Sequence, residues 1–100
     1  MIDLKKIQKD VFQNKTEKGF NTTDVNREFC FAYGELSEAY DAYRKKKDDL
    51  GEELADVAIC LLGLSEMLGL DLEEEIAKKV AKNEKRKYEN VDGVNIRIEE

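Results

Sequence analysis

The sequence predicts an all-α protein of about four helices packed as a bundle. Three observations lead there. No proline occurs in the 100 residues, and Ala, Leu, Glu and Lys, all good helix formers, dominate. Apolar residues recur at three- and four-residue spacing through four successive stretches. The breaks between those stretches hold residues that end one helix or start the next: Gly19 with Asn21-Thr22-Thr23-Asp24, Asp48-Asp49, and Gly69 with Asp71.

The first helix is expected from residue 2 to about 18, with Ile2 or Leu4, Ile7, and Val11 with Phe12 on one stripe and Gly19 as its stop. The turn that follows is rich in N-cap types, and the spacing does not select one of them. The second helix runs from about 24 to 45. Its apolar positions are Val25, Phe29, Ala32/Tyr33, Leu36, Ala39/Tyr40 and Tyr43, with Glu35 and Glu38 beside the stripe. Arg44-Lys45-Lys46-Lys47 then suits the negative end of the helix dipole and reads as a solvated helix end.

The third helix runs from about 49 to 68. Asp48, Asp49, Glu52 and Glu53 favour its N-terminal dipole, and Val57-Ala58-Ile59-Cys60-Leu61-Leu62-Gly63-Leu64 is apolar nearly all round, as in a buried helix. The fourth runs from about 72 to 88 on a narrow stripe of Leu72, Ile76 and Val80. Lys79, Asn83 and Arg86 share another face of it. Beyond residue 88 the pattern changes. Asp92-Gly93 signals a turn, and Val94, Ile96 and Ile98 alternate with polar residues. That segment reads either as a short strand, paired with a partner's copy, or as a loose tail. The whole chain, 1–100, reads as one domain.

A single chain of this size has a thin core. An all-round apolar third helix therefore predicts that a second subunit covers part of it. The net charge of −6 excludes the basic face that non-specific binding to nucleic acid or an anionic membrane needs. Met1-Ile2-Asp3-Leu4-Lys5-Lys6 has no apolar h-region, and no apolar run is long enough to span a bilayer. The expected location is cytoplasmic, with Cys30 and Cys60 as buried free thiols. The absence of histidine removes His-based catalysis, most zinc sites and the Glu-x-x-His pattern of di-iron bundles.

What remains for chemistry is carboxylate. Glu35 and Glu38, and then Glu53 and Asp56, are two i,i+3 pairs on consecutive helices, each projecting from one helix face. If the helices fold back about residue 47, Glu38 and Asp56 stand at the same distance from the turn and arrive at one height. Four converging carboxylates repel unless a cation neutralises them, and a hard divalent ion such as Mg²⁺ prefers oxygen ligands. With 23 acidic residues such pairs also arise by chance as a solvated face. Asp56 is harder to assign that way, because it opens the apolar run.

Gly34-Glu35-Leu36-Ser37-Glu38-Ala39, then Glu52-Glu53-Leu54-Ala55-Asp56-Val57, then Lys79, Asn83 and Arg86-Lys87-Tyr88 together resemble the MazG-like all-α nucleotide pyrophosphohydrolases over about residues 25–88. That family carries E-x-x-E, a spacer, E-x-x-D and a downstream Lys/Asn/Arg helix; the spacer here is residues 39–52. Many members have a further glutamate where this chain has Ala32. The resemblance implies hydrolysis of a nucleoside triphosphate, often a deoxynucleotide, to the monophosphate and pyrophosphate, with cleansing of the nucleotide pool as the role. It implies Mg²⁺, with Mn²⁺ as a substitute, held by Glu35, Glu38, Glu53 and Asp56; catalytic work by Glu38 and Glu53, with Glu38 the base for the attacking water; and phosphate contacts from Lys79, Asn83 and Arg86. Phe20, Phe29 and Phe31 are candidates to sit against the base, with core packing as their ordinary role. The family's assemblies imply a homodimer or homotetramer. Two other readings stand beside it: an inactive helical interaction module of the same fold, and a specialised relative acting on phosphoribosyl-ATP or dUTP.

Overall fold

A computed structural model describes residues 2–99; Met1 and Glu100, the ends of the expected domain, lie outside the described residues. Four helices form: α1 (Leu4–Glu17), α2 (Val25–Arg44), α3 (Leu50–Met67) and α4 (Leu72–Lys85). An aspartate stands at the N-cap of all four, and in three of them its side chain caps the helix. Asp3 accepts from the backbone N–H of Lys6, Asp24 from Arg27 and Asp71 from Glu74, each filling a donor the first turn leaves open. The first three helices end in one way. The N–H of Phe20, Lys47 and Leu70 reaches back to the carbonyl of Lys15, Ala42 and Ser65, each at 2.9 Å, around a residue in the left-handed region. Gly19 and Gly69 take that position at φ +70°, as expected of glycine, whereas in the second case it is Lys46, at φ +54°.

Helices α2 and α3 form an antiparallel hairpin, α1 lies on α3, and α4 lies on α1. Helix α1 approaches α3 tightly at Gly63, where an added Cβ would meet Val11 and the Lys15 stem at 3.4 Å. Buried Gln8 ties three elements together. Its Nε2 donates to Glu66 Oε1 at 2.9 Å and to the Leu70 carbonyl at 2.7 Å, and its Oε1 accepts from the Leu72 N–H at 3.3 Å. No described helix is long and apolar enough to cross a membrane.

Three expectations are corrected. The fourth helix stops at Lys85 rather than at Tyr88: Arg86 is extended (φ −72°, ψ 140°), and Lys87–Val91 is strand β1. The alternating segment is strand β2 (Val94–Glu99), and it pairs antiparallel with β1 of its own chain through the Asp92-Gly93 turn, not with a partner's copy and not as a tail. Both turn residues have positive φ, which matches the strand twist of a tight hairpin, and β-branched residues follow on both sides. No residue of α4 is buried, so nothing beneath its end holds the helix against that pairing. The third correction is Cys30, which is exposed; only Cys60 is buried.

The core differs in composition from the apolar stripe that spacing suggests for α2. Its inward face is Val25, Glu28, Ala32, Glu35, Ala39 and Ala42, all buried or half-buried. Phe29, Tyr33, Leu36, Tyr40 and Tyr43 form a second stripe, offset by one residue, that faces solvent in the single chain. On α3 the inward face is Leu50, Glu53, Val57, Cys60 and Leu64, while Leu54 and Leu61 are exposed.

Candidate metal centre and adjoining cavities

The acidic pairs reach the same place because the α2–α3 turn reverses the chain between them. One carboxylate oxygen from each of Glu35, Glu38 and Glu53 lies within 4.8 Å of the others. Asp56 stands outside that trio, but its charge acts on both Glu35 and Glu53. Burial holds the Glu35 carboxyl above the usual carboxylate range, and the charges of Glu38, Asp56 and Glu53 push it further. Glu53 is raised as well, by burial first and then by Asp49, Glu38, Asp56 and Glu52.

The donor set fits a hard divalent cation. It is all oxygen, contributed by two rigid helices. Glu53 Oε2 is buried and has no hydrogen-bond partner, which is costly for a carboxylate unless a cation meets it.

The α4 candidates are placed elsewhere. That helix packs on α1 rather than across the α2–α3 hairpin. Arg86 donates from Nη1 to Asn83 Oδ1 at 3.2 Å, its Nε is buried without a partner, and Lys79 is exposed. Among the described residues no ion pair joins this face to the four carboxylates.

A cavity of about 920 Å³ opens beside the cluster between α1, α2 and α3, with Glu35 and Asp56 in its lining. Of the three candidate phenylalanines, Phe20 and Phe31 line it and Phe29 does not. The side chains that sequence reasoning missed are also here. Lys15 Nζ donates to Glu28 Oε2 at 2.6 Å, Asn21 Nδ2 donates to Glu28 Oε1 at 3.1 Å, and the Cys60 sulfur lies 4.0 Å from Glu28 Oε2. Burial, with the Glu28 charge beside it, pushes the Cys60 thiol up, so it is a poor nucleophile. The available signal was the spacing Glu28, Ala32, Glu35, Ala39, Ala42, a heptad of small residues carrying two glutamates.

Paired carboxylates on a helical hairpin, bordered by a cavity of ligand size, define a helical protein with a candidate metal centre beside room for a small molecule. The sequence profile of the MazG-like family matches residues 30–100, and the chain belongs to that family. The family is associated with nucleoside triphosphate pyrophosphohydrolases and is typically metal-dependent. No curated protein and no solved structure matches the chain.

Proposed function

We propose that the protein hydrolyses a nucleoside triphosphate, with deoxynucleotides the first candidates, to the monophosphate and pyrophosphate. The observation that carries this reading is the convergence of Glu35, Glu38 and Glu53, with an unpartnered buried oxygen on Glu53, at the edge of a cavity large enough for a nucleoside. Glu35, Glu38, Glu53 and Asp56 are the ligands for Mg²⁺, which when bound neutralises charge on the triphosphate. One of these four carboxylates accepts the proton of the attacking water, and Glu53 holds the arrangement from the facing helix. Phe20 and Phe31 flank the nucleoside.

The exposed stripe of α2 and the exposed leucines of α3 lie on one side of the hairpin and support a homodimer or homotetramer built on that face. Lys79, Asn83 and Arg86 belong to this reading as phosphate contacts delivered through such an assembly.

The test is pyrophosphate release from a panel of ribo- and deoxynucleoside triphosphates with Mg²⁺, run beside Asp56→Asn and Glu53→Gln. Release that needs Mg²⁺ and falls by about a hundredfold or more in either variant is the expected result. Silence of the folded wild-type chain across the panel overturns it and leaves the interaction-module reading.

A further inference from the structure

The four carboxylates stand between two cavities, and each cavity takes two of them. Glu35 and Asp56 line the large one, whose other walls include Val11, Phe20, Phe31 and Ile59. Glu38 and Glu53 line a second cavity of about 210 Å³ at the turn end of the hairpin, shared with Asp41, Asp49, Lys45 and Lys47. We infer that this gives the site a fixed polarity: the nucleoside occupies the large cavity, and Lys45 and Lys47 hold the two phosphates that leave as pyrophosphate. The inference rests on the pyrophosphohydrolase reading and adds to it a polarity and two residues.

Size and chemistry separate the two cavities. Sites for drug-sized ligands run from about 300 to 1,000 Å³, so the large cavity suits a base and sugar and the small one does not. Aromatic and aliphatic walls suit a flat base. The small cavity has little apolar lining, and its two ammonium groups, together with the divalent cation that Glu38 and Glu53 would hold, offset its four carboxylates, which makes room for phosphate. Neither lysine makes an ion pair among the described residues, although four carboxylates share the cavity with them. Both ammoniums are free to donate.

The turn also fixes where the two lysines start. Lys46 sits between them at φ +54°, a conformation that costs a lysine free energy and that glycine would adopt freely. It is locked by the Lys47 N–H on the Ala42 carbonyl at 2.9 Å and by its own N–H on the Tyr43 carbonyl at 3.1 Å. The basic run is thus more than a solvated helix end, since two of its members border the carboxylates.

The polarity fits the bond that must break. Water oxygen attacks the α-phosphorus opposite the bridging oxygen, hence from the large-cavity side, and its proton passes to a carboxylate there, Glu35 or Asp56. The bond from that phosphorus to the bridging oxygen breaks, and this oxygen leaves on pyrophosphate with one more negative charge. Lys45 and Lys47 stand where that charge develops.

Product inhibition reads the two ends separately. The probes are inorganic pyrophosphate and the nucleoside monophosphate of the best substrate, each titrated with Mg²⁺ against wild type, Lys45→Ala/Lys47→Ala, Phe31→Ala and Lys46→Gly. The lysine double variant is expected to weaken inhibition by pyrophosphate about tenfold or more and leave the monophosphate unchanged. Phe31→Ala is expected to do the converse. Lys46→Gly removes one charge from the same turn without touching either cavity, and should move neither. Equal weakening of both products by the double variant, weakening of the monophosphate alone, no change, or an equal effect from Lys46→Gly each overturns the inference. A wild-type chain that turns over no triphosphate defeats the enzyme reading instead. Calorimetric binding of Mg²⁺-pyrophosphate to wild type and double variant then decides the role of the lysines by itself.

Discussion

Lys15 and Glu28 bury opposite charges 2.6 Å apart, with only 13% and 7% of their side chains exposed. Asn21 fills a further acceptor site on the carboxylate, so Glu28 is well paired. Removing one member leaves the other buried and alone, which costs about 3–5 kcal/mol, whereas removing both for apolar groups of similar size is close to neutral. Lys15→Met should therefore lower urea stability by about that amount, and Lys15→Met/Glu28→Leu should recover most of the loss; equal losses in the two proteins would show that the ion pair is not the cause. The clustered glutamates of α2 and α3 have no such partner among the described residues. Because Glu35 and Glu53 hold their protons above the usual range, the metal-free folded state binds more protons than the unfolded chain as pH rises from the ordinary glutamate value to the raised ones. Their contribution favours the fold at the low end of that window and is lost as pH climbs through it. Asp71 has the opposite sign: the Glu74 N–H, then Lys5, hold it low, and its contribution disappears as pH falls below the ordinary aspartate value. Melting of EDTA-treated protein should accordingly decline with rising pH through the glutamate window, and Mg²⁺ should abolish the decline. A decline that persists in saturating Mg²⁺ would separate the slope from this cluster.

At the scale of elements, the ends of α1, α2 and α3 share one hydrogen-bonding pattern but not one residue type. Lys46 does what Gly19 and Gly69 do, at a left-handed φ that penalises a side chain. Lys46→Gly should raise stability by about 1 kcal/mol and Gly69→Ala should lower it by a similar amount, both read by thermal melting. A destabilised Lys46→Gly protein would mean that the lysine side chain contributes more than its backbone costs. The same comparison shows what the sequence could reveal. Glycine stops and aspartate caps are local chemistry, and they mark the helix ends at Gly19, Gly69 and Asp71 within a residue or two. The i,i+3 acidic pairs also follow from local spacing, and the meeting of Glu35, Glu38 and Glu53 follows from that spacing once the short turn reverses the chain. Competition between segments is not local. Residues 86–88 have helical composition, yet Arg86 turns extended because β2 offers β1 a partner and no packing holds the end of α4. The inward face of α2 was hidden for a related reason. Two heptad stripes run along that helix one residue apart, and hydropathy favours the aromatic one. The chain's own core takes the small one, because alanines let α2 and α3 come close and bring Glu28 and Glu35 inside.

The aromatic stripe then matters for the molecule as a whole. A compact chain of this length has a radius of gyration of about 13 Å; this one has 16.8 Å. Its core is made of small and medium residues, Ala39, Ala42, Cys60, Leu62 and Leu64, while Phe29, Tyr33, Leu36 and Tyr40 lie exposed, Tyr33 by as much as 72%. Offsetting the inward positions by one residue on two antiparallel helices turns both offset stripes toward the same side, so Leu54 and Leu61 of α3 extend the α2 stripe into a continuous face. A second copy using the same patch would bury aromatic against aromatic across a two-fold axis and complete a four-helix core from two hairpins. The carboxylates Glu38 and Asp56 are offset in the opposite sense, so this face and the two cavities lie on different sides of the hairpin. Sedimentation of the wild-type chain should give at least twice the 11.5 kDa monomer mass. Tyr33→Glu/Leu61→Glu places charges in the middle of the face, and should reduce the mass to that of one chain and lower the melting temperature. It should also remove the dependence of melting on protein concentration that a dimer shows. A wild-type chain that sediments as a monomer and melts independently of concentration would assign the aromatic face to a different partner.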